Sequence, residues 1–267
     1  MARQRAGLIV QICALAMGLA FSLAPPARAE GSSPFDAWAV VVVAGDWRGA
    51  GGGPTKAFDN ARRDIAARLS DRGFDPGRIS QFSVKPESAL ARQATAKAIY
   101  ETLSAQSALA PGCMVYLTSH GDPQGVLVGD LILPPDILGL MIDRSCGAKP
   151  TVVVVSACFS GVFVPALAKP NRMILTAARP DRTSFGCGES DTYPYFDDCF
   201  LQVLKDAAHF AILGPGVRAC VAAREIQEGV TPPSEPQVWI GAQLRPLLPL
   251  MPFAAVTHQL GASGSAP

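Results

Sequence analysis

Apolar residues in this chain gather into unbroken runs instead of alternating with polar ones. "AWAVVVVAGDW" (Ala37 to Trp47), "CMVYLTSHGD" (Cys113 to Asp122), "TVVVVSAC" (Thr151 to Cys158) and "RMILTAA" (Arg172 to Ala178) are the clearest, with a shorter run from Ile79 to Val84. A strand with one wet face alternates, whereas a strand covered on both faces does not, so these runs predict a mostly parallel sheet inside an α/β domain. Each valine buried there contributes about 1.5–3 kcal/mol, which makes "VVVV" a folding device before anything else.

Between the strands the apolar period changes. Phe58, Ala61, Ile65 and Leu69 recur at helical spacing, and Arg72-Gly73 supplies a stop. An Ala-rich stretch from about Glu87 to Ala108 reads as a second helix, and Pro134-Pro135 opens a short one near Asp136 to Ile142, Pro135 being suited to a first helical position. Further helices are predicted from Cys199 to Ala208 and near Val217 to Ile226. "VLVGDLIL", Val126 to Leu133, places Gly-Asp between two apolar triplets and predicts a β-hairpin. "PQVWIG", Pro236 to Gly241, reads as a last edge strand.

The first 29 residues have another character: Arg3 and Arg5, an apolar run from about Gly7 to Ala24, then Ala27-Arg28-Ala29 in a small-x-small pattern. The run barely reaches bilayer length, and Gly18, Ser22 and Pro25-Pro26 break it, so the pattern predicts a cleaved secretory signal over 1–29 and not a membrane anchor. The expectation is an exported protein, periplasmic or secreted, with no stable membrane insertion after cleavage. Its domain would run from 30 to 258, followed by a flexible tail at 259–267. Removing the segment takes three arginines and no acidic residue, leaving 20 basic against 22 acidic side chains. That near-neutral balance argues against a nucleic-acid partner.

The expected mature chain keeps Cys113, Cys146, Cys158, Cys187, Cys199 and Cys220. In an oxidising compartment cysteines tend to pair. Cys113 and Cys146 each precede a core strand and could bridge, and Cys187 and Cys199 could close a short loop. There is no CxxC and no Cys/His spacing suited to zinc, which argues against a metal site. The glycine-rich loop Gly45 to Gly53 lacks both the Gly-Lys-Ser/Thr ending and the GxGxxG spacing of nucleotide-binding loops.

Chemistry concentrates where two strands end. In a parallel sheet, ligands bind beyond the carboxyl ends of the strands, and two consecutive core strands deliver His120 and Cys158 there. Alone, each has an ordinary explanation: a hydrogen-bonded structural histidine, and a buried or bridged thiol. Together they point to nucleophilic catalysis, because a free thiol is only about 3% thiolate at neutral pH and an imidazole neighbour raises that fraction. The other histidines, His209 after a helical stretch and His258 near the tail, lie in weaker contexts. Gly121 lets a substrate backbone approach, and the small residues around Cys158 free its N–H as an oxyanion donor.

"YLTSHG", followed 38 positions from histidine to cysteine by "SACFSG", resembles the His-Gly and Ala-Cys-x-Ser-Gly signatures of the legumain family of cysteine peptidases, in the clan that holds caspases. The likeness takes in "WAVVVVAG", "RGFDPGRI", "TAARPDRTSFGC" and "YFDD", and covers about Ala37 to Leu204. It implies a caspase/haemoglobinase-like three-layer α/β sandwich with a mostly parallel central sheet, a peptide or protein substrate, a thioester intermediate and no cofactor. Carried over, Cys158 is the nucleophile, His120 the proton donor, and Gly121 with Cys158 the oxyanion hole. Ser156, Thr183, Ser184 and Asp198 fall near the substrate pocket.

Three departures limit the transfer. Ser156 stands where legumains usually carry an acid, their Arg-His pair is replaced by "AFDNA" (Ala57 to Ala61), and the asparagine that orients their histidine has no secure counterpart, Asp46 and Asn60 being the substitutes on offer. Asparagine specificity is therefore not inherited. Asp122 reads as a solvated loop residue, and Arg179 with Asp181 as a surface pair. Transpeptidation at the same dyad, a binding module that has lost turnover, and a thiol-disulfide protein are the rival readings.

Overall fold

A computed structural model describes residues 33–86 and 88–255. The expected signal segment 1–29, His258 and the tail 259–267 lie outside the described residues.

The strands are β1 (Ala39–Ala44), β2 (Ile79–Ser83), β3 (Ala91–Gln93), β4 (Cys113–Thr118), β5 (Gly121–Asp122), β6 (Gly125–Val128), β7 (Leu131–Leu133), β8 (Thr151–Ser156), β9 (Arg172–Thr176) and β10 (Gln237–Ile240). The helices are α1 (Ala57–Asp71), α2 (Ala96–Ser107), α3 (Pro135–Cys146), α4 (Phe163–Leu167), α5 (Tyr195–Asp206) and α6 (Phe210–Glu228). Seven strands form one sheet in the order β10-β9-β8-β4-β1-β2-β3, parallel throughout except for the antiparallel edge pair β10–β9.

The unbroken apolar runs have the predicted cause. Successive side chains leave a strand on opposite faces, and here both faces are covered. Val40, Val42, Tyr116 and Val154 pack under α1, α5 and α6, while Val41, Val43, Val115 and Val155 pack under α2, α3 and α4. The result is a three-layer sandwich with its core divided by the sheet. Val126 to Leu133 forms the predicted hairpin, joined by β5 into a separate antiparallel sheet.

Element limits differ where local chemistry overrides periodicity. The second helix begins at Ala96 and not near Glu87, because the Thr95 side chain caps it by accepting from the Ala98 N–H at 3.1 Å. The residues before the cap pair with β2 as the edge strand β3. The last helix starts at Phe210 although Pro215 lies inside it. Proline removes one backbone hydrogen bond there, and full burial of Phe210 and Leu213 offsets the loss.

Disulfides join Cys113 to Cys146 and Cys199 to Cys220, leaving Cys158 and Cys187 free. The first is the predicted bridge, between the start of β4 and the end of α3. The Cys187–Cys199 expectation fails because Cys199 points from α5 into α6 and finds Cys220. Replacing Cys220 by serine is expected to lower the unfolding free energy by about 3 kcal/mol, the chain-entropy value for a loop of roughly 20 residues; urea unfolding without reductant checks it.

Candidate active site

β4 and β8 are neighbours, paired in register with Thr118 opposite Ser156. Each chain runs two residues beyond its strand, and there His120 and Cys158, both half-buried, line one open cavity of about 630 Å³ at the carboxyl edge of the sheet. Thr183, Ser184 and the glycine-rich loop complete its walls. The two extensions approach so closely at Gly121 that a Cβ there would lie 2.0 Å from the Cys158 carbonyl oxygen. Only glycine permits that contact.

His120 is held from two sides. Its Nε2 lies 2.8 Å from the Arg48 carbonyl oxygen. A carbonyl only accepts, so Nε2 carries the hydrogen and Nδ1 is left to take up or return a proton. Buried Phe58 packs edge-on against the ring, centroids 5.0 Å apart. Arg48 is fixed in turn: its guanidinium bonds Asp46 at 2.9 Å, Asp130 at 3.1 Å and the Gly129 carbonyl at 3.1 Å. Asp46, buried in the loop, also accepts from the Trp47 and Arg48 N–H groups. Asp46 therefore acts on the residue whose carbonyl meets the imidazole, not on the imidazole. Asn60, on α1, bonds the Thr192 carbonyl and Arg63 instead.

Cys158 is placed by the segment after β9. The Ser184 N–H donates to Sγ at 3.2 Å, with the Ser184 hydroxyl and carbonyl each 3.6 Å away. The next residue, Phe159, has φ 56°, a left-handed conformation uncommon for a bulky side chain. Its neighbours over-determine it: Phe159 N–H donates to the Arg182 carbonyl at 2.7 Å and the Ser160 hydroxyl accepts from Ala178 N–H at 3.1 Å. Among the described residues, the Cys158 N–H has no acceptor, which leaves it available to an oxyanion.

Cys187, the second free thiol, lines the same cavity. Burial first, then the nearby Cys158 and Asp191, pushes its pKa up to about 11. It stays a neutral thiol at pH 7.5. Peptide mapping after brief iodoacetamide treatment at that pH is expected to find Cys187 unmodified, and rapid labelling there would contradict the raised pKa of this half-buried thiol.

The Peptidase C13 family matches residues 96–211, a span that contains both His120 and Cys158. Over that span the chain is similar to the legumain family. No curated protein sequence matches it significantly. Among solved structures it is similar to the crystal structure of caspase-1 from Spodoptera frugiperda, with a TM-score of 0.56 at 13% identity over 78% of this chain and 88% of that one. At that identity the likeness is one of fold, and the chain has a caspase-like fold. Family and fold together support a cysteine peptidase.

Not every residue that the resemblance placed near the pocket reaches it. Thr183 and Ser184 line the cavity; Ser156 and Asp198 do not. Ser156 is a correction because, as Thr118's partner in register, it faces the layer beneath α5 and is buried. Asp198 is a correction because it projects from α5 toward α6, where it pairs with Arg224. Its neighbour Asp197 points inward instead and is fully buried. Sequence reasoning missed Arg48 because it contributes a backbone carbonyl, which every residue possesses. It missed Asp197 because α5 was expected to begin four residues later, and a start at Tyr195 would have put Asp197 about one turn before buried Phe200 and two turns before buried Leu204.

Proposed function

We propose that the chain is an exported cysteine endopeptidase that cleaves peptide bonds through a Cys158–His120 dyad. The observation that carries this reading is the convergence of the two side chains on one open cavity beyond the strand ends. Cys158 sulfur attacks the peptide carbonyl, and its own N–H with that of Gly121 receives the oxyanion, each donor lowering the barrier by about 2.7–4 kcal/mol. The His120 ring, oriented by the Arg48 carbonyl, protonates the leaving amine. Water then attacks the thioester, the imidazole takes its proton, and the acid product leaves.

The polar residues Thr183 and Ser184 beside the nucleophile suit hydrogen bonding to an extended substrate backbone. Export is supported by the character of residues 1–29 and by two disulfides, which persist in oxidising compartments. The test is digestion of a peptide library by the purified protein, with cut sites read by mass spectrometry. Cuts at defined positions are expected, and an added amine nucleophile appearing in the products would redirect the reading to transpeptidation.

A further inference from the structure

Asp197 occupies the first turn of α5 with no exposed surface. Its Oδ1 accepts from the Tyr116 hydroxyl at 2.5 Å and its Oδ2 from the Thr118 hydroxyl at 2.6 Å. The buried Ser156 side chain, Thr118's partner in register, faces the same side of the sheet. Thr118 and Ser156 are register partners on adjacent strands, and each stands two residues before a member of the dyad. One carboxyl group from a helix thus holds β4 at its last residue, beside the last residue of β8.

This is an expensive way to fill a core. Among the described residues no salt bridge reaches Asp197. Burial, with a smaller push from Asp198 on the same helix, raises its pKa to about 6 against the opposing hydrogen bonds of Thr118 and Tyr116. Its titratable neighbour on β4, Tyr116, is held protonated by burial and by the Asp197 charge. A carboxyl whose folded pKa lies above its ordinary value stabilises the fold while protonated, and loses that contribution as pH rises through about 6. At neutral pH an amide or an apolar side chain would serve stability better. A carboxylate, however, accepts on both of its oxygens, as Asp197 does here, whereas an amide accepts on one and an apolar side chain on none.

We propose that Asp197 is a positioning residue of the dyad, its carboxylate anchoring the end of β4, and through the register pair Thr118–Ser156 the end of β8, so that His120 and Cys158 keep the separation that proton transfer needs. The proposal rests on the peptidase reading above and adds a residue to it. Displacing catalytic groups by about 1 Å costs roughly 100-fold in rate, so a tie two residues upstream of each has leverage on turnover.

The test compares wild type with Asp197→Asn, Thr118→Val and His120→Ala, using kcat and KM on a cleaved peptide, Tm, and the pH profile of Cys158 alkylation by iodoacetamide. In Asp197→Asn, kcat is expected to fall about 100-fold with KM changed less than about threefold. Its Tm relative to wild type is expected to rise between pH 4.5 and 7.5, and its alkylation profile to move toward that of His120→Ala. Thr118→Val, which removes one hydroxyl and little volume, is expected to show a smaller loss in the same direction, and it decides the matter if Asp197→Asn does not fold. A kcat within about twofold of wild type in the variant that folds, or a kcat loss with a wild-type alkylation profile, overturns the proposal. If His120→Ala itself alkylates like wild type, the dyad reading has failed, and the clamp fails with it.

Discussion

Cys158→Ala is expected to reduce peptide cleavage by at least about 10⁴-fold while leaving the fold intact. The sulfur is the atom that bonds the substrate, so nothing in the cavity replaces it. Its structural contacts are few: among the described residues the sulfur's polar contacts are those to Ser184, and the residue is half-buried at a turn fixed independently by Arg182 and Ala178. The melting temperature should therefore move by only a few degrees while activity collapses. His120→Ala should cost about 10³-fold or more, and the double variant should be no worse than Cys158→Ala alone, because two groups that act in one proton transfer are not additive. Peptide-library digestion with the three variants measures this. Cleavage surviving in either single variant would remove the dyad, and independent, multiplicative losses would mean that the two residues do not work together.

The parts of this molecule that could be read from sequence are those governed by local pattern. "VVVV" at Val152 to Val155 signals a strand buried on both faces wherever it occurs, and the order of such strands brings His120 and Cys158 to the same edge of the sheet. The Cys113–Cys146 bridge follows from residues flanking adjacent strands. What escaped reading depends on groups that sequence does not distinguish. The Arg48 carbonyl that meets His120 belongs to the backbone, and its place is set by a loop whose anchors, Asp130 and Gly129, lie on the distant hairpin. Which acid of α5 faces the sheet is a matter of helix phase: adjacent positions differ by about 100° around the axis, so Asp197 turns inward while Asp198 meets α6. Cys199 is bridged to Cys220 for the same reason, since the face of α5 that meets α6 was fixed by packing rather than by spacing in the chain.

Gly121→Ala is expected to lower kcat by about 100-fold or more and to destabilise the fold by about 1–3 kcal/mol. The added methyl would lie 2.0 Å from the Cys158 carbonyl oxygen, where real Cβ atoms do not come within 3.0 Å, so the backbone at Cys158 must retreat by about 1 Å. It would also stand 2.9 Å from the Ala157 side chain, which closes the easy direction of retreat. The displaced atoms belong to the nucleophile's own residue, and its N–H is the proposed oxyanion donor. Stability and turnover are thus lost through one movement, but unequally, since a shift of that size matters more to a reacting geometry than to packing. Gly77→Ala is the control: its nearest contact is an Asp75 side-chain oxygen at 3.3 Å, far from the cavity in a short turn, and near wild-type kinetics are expected. Unfolding curves and kcat for both variants separate the effects. A Gly121→Ala enzyme with wild-type kcat would mean that the close approach of the two strand extensions is not what holds the nucleophile, and the assignment of Gly121 to the oxyanion site would fall with it.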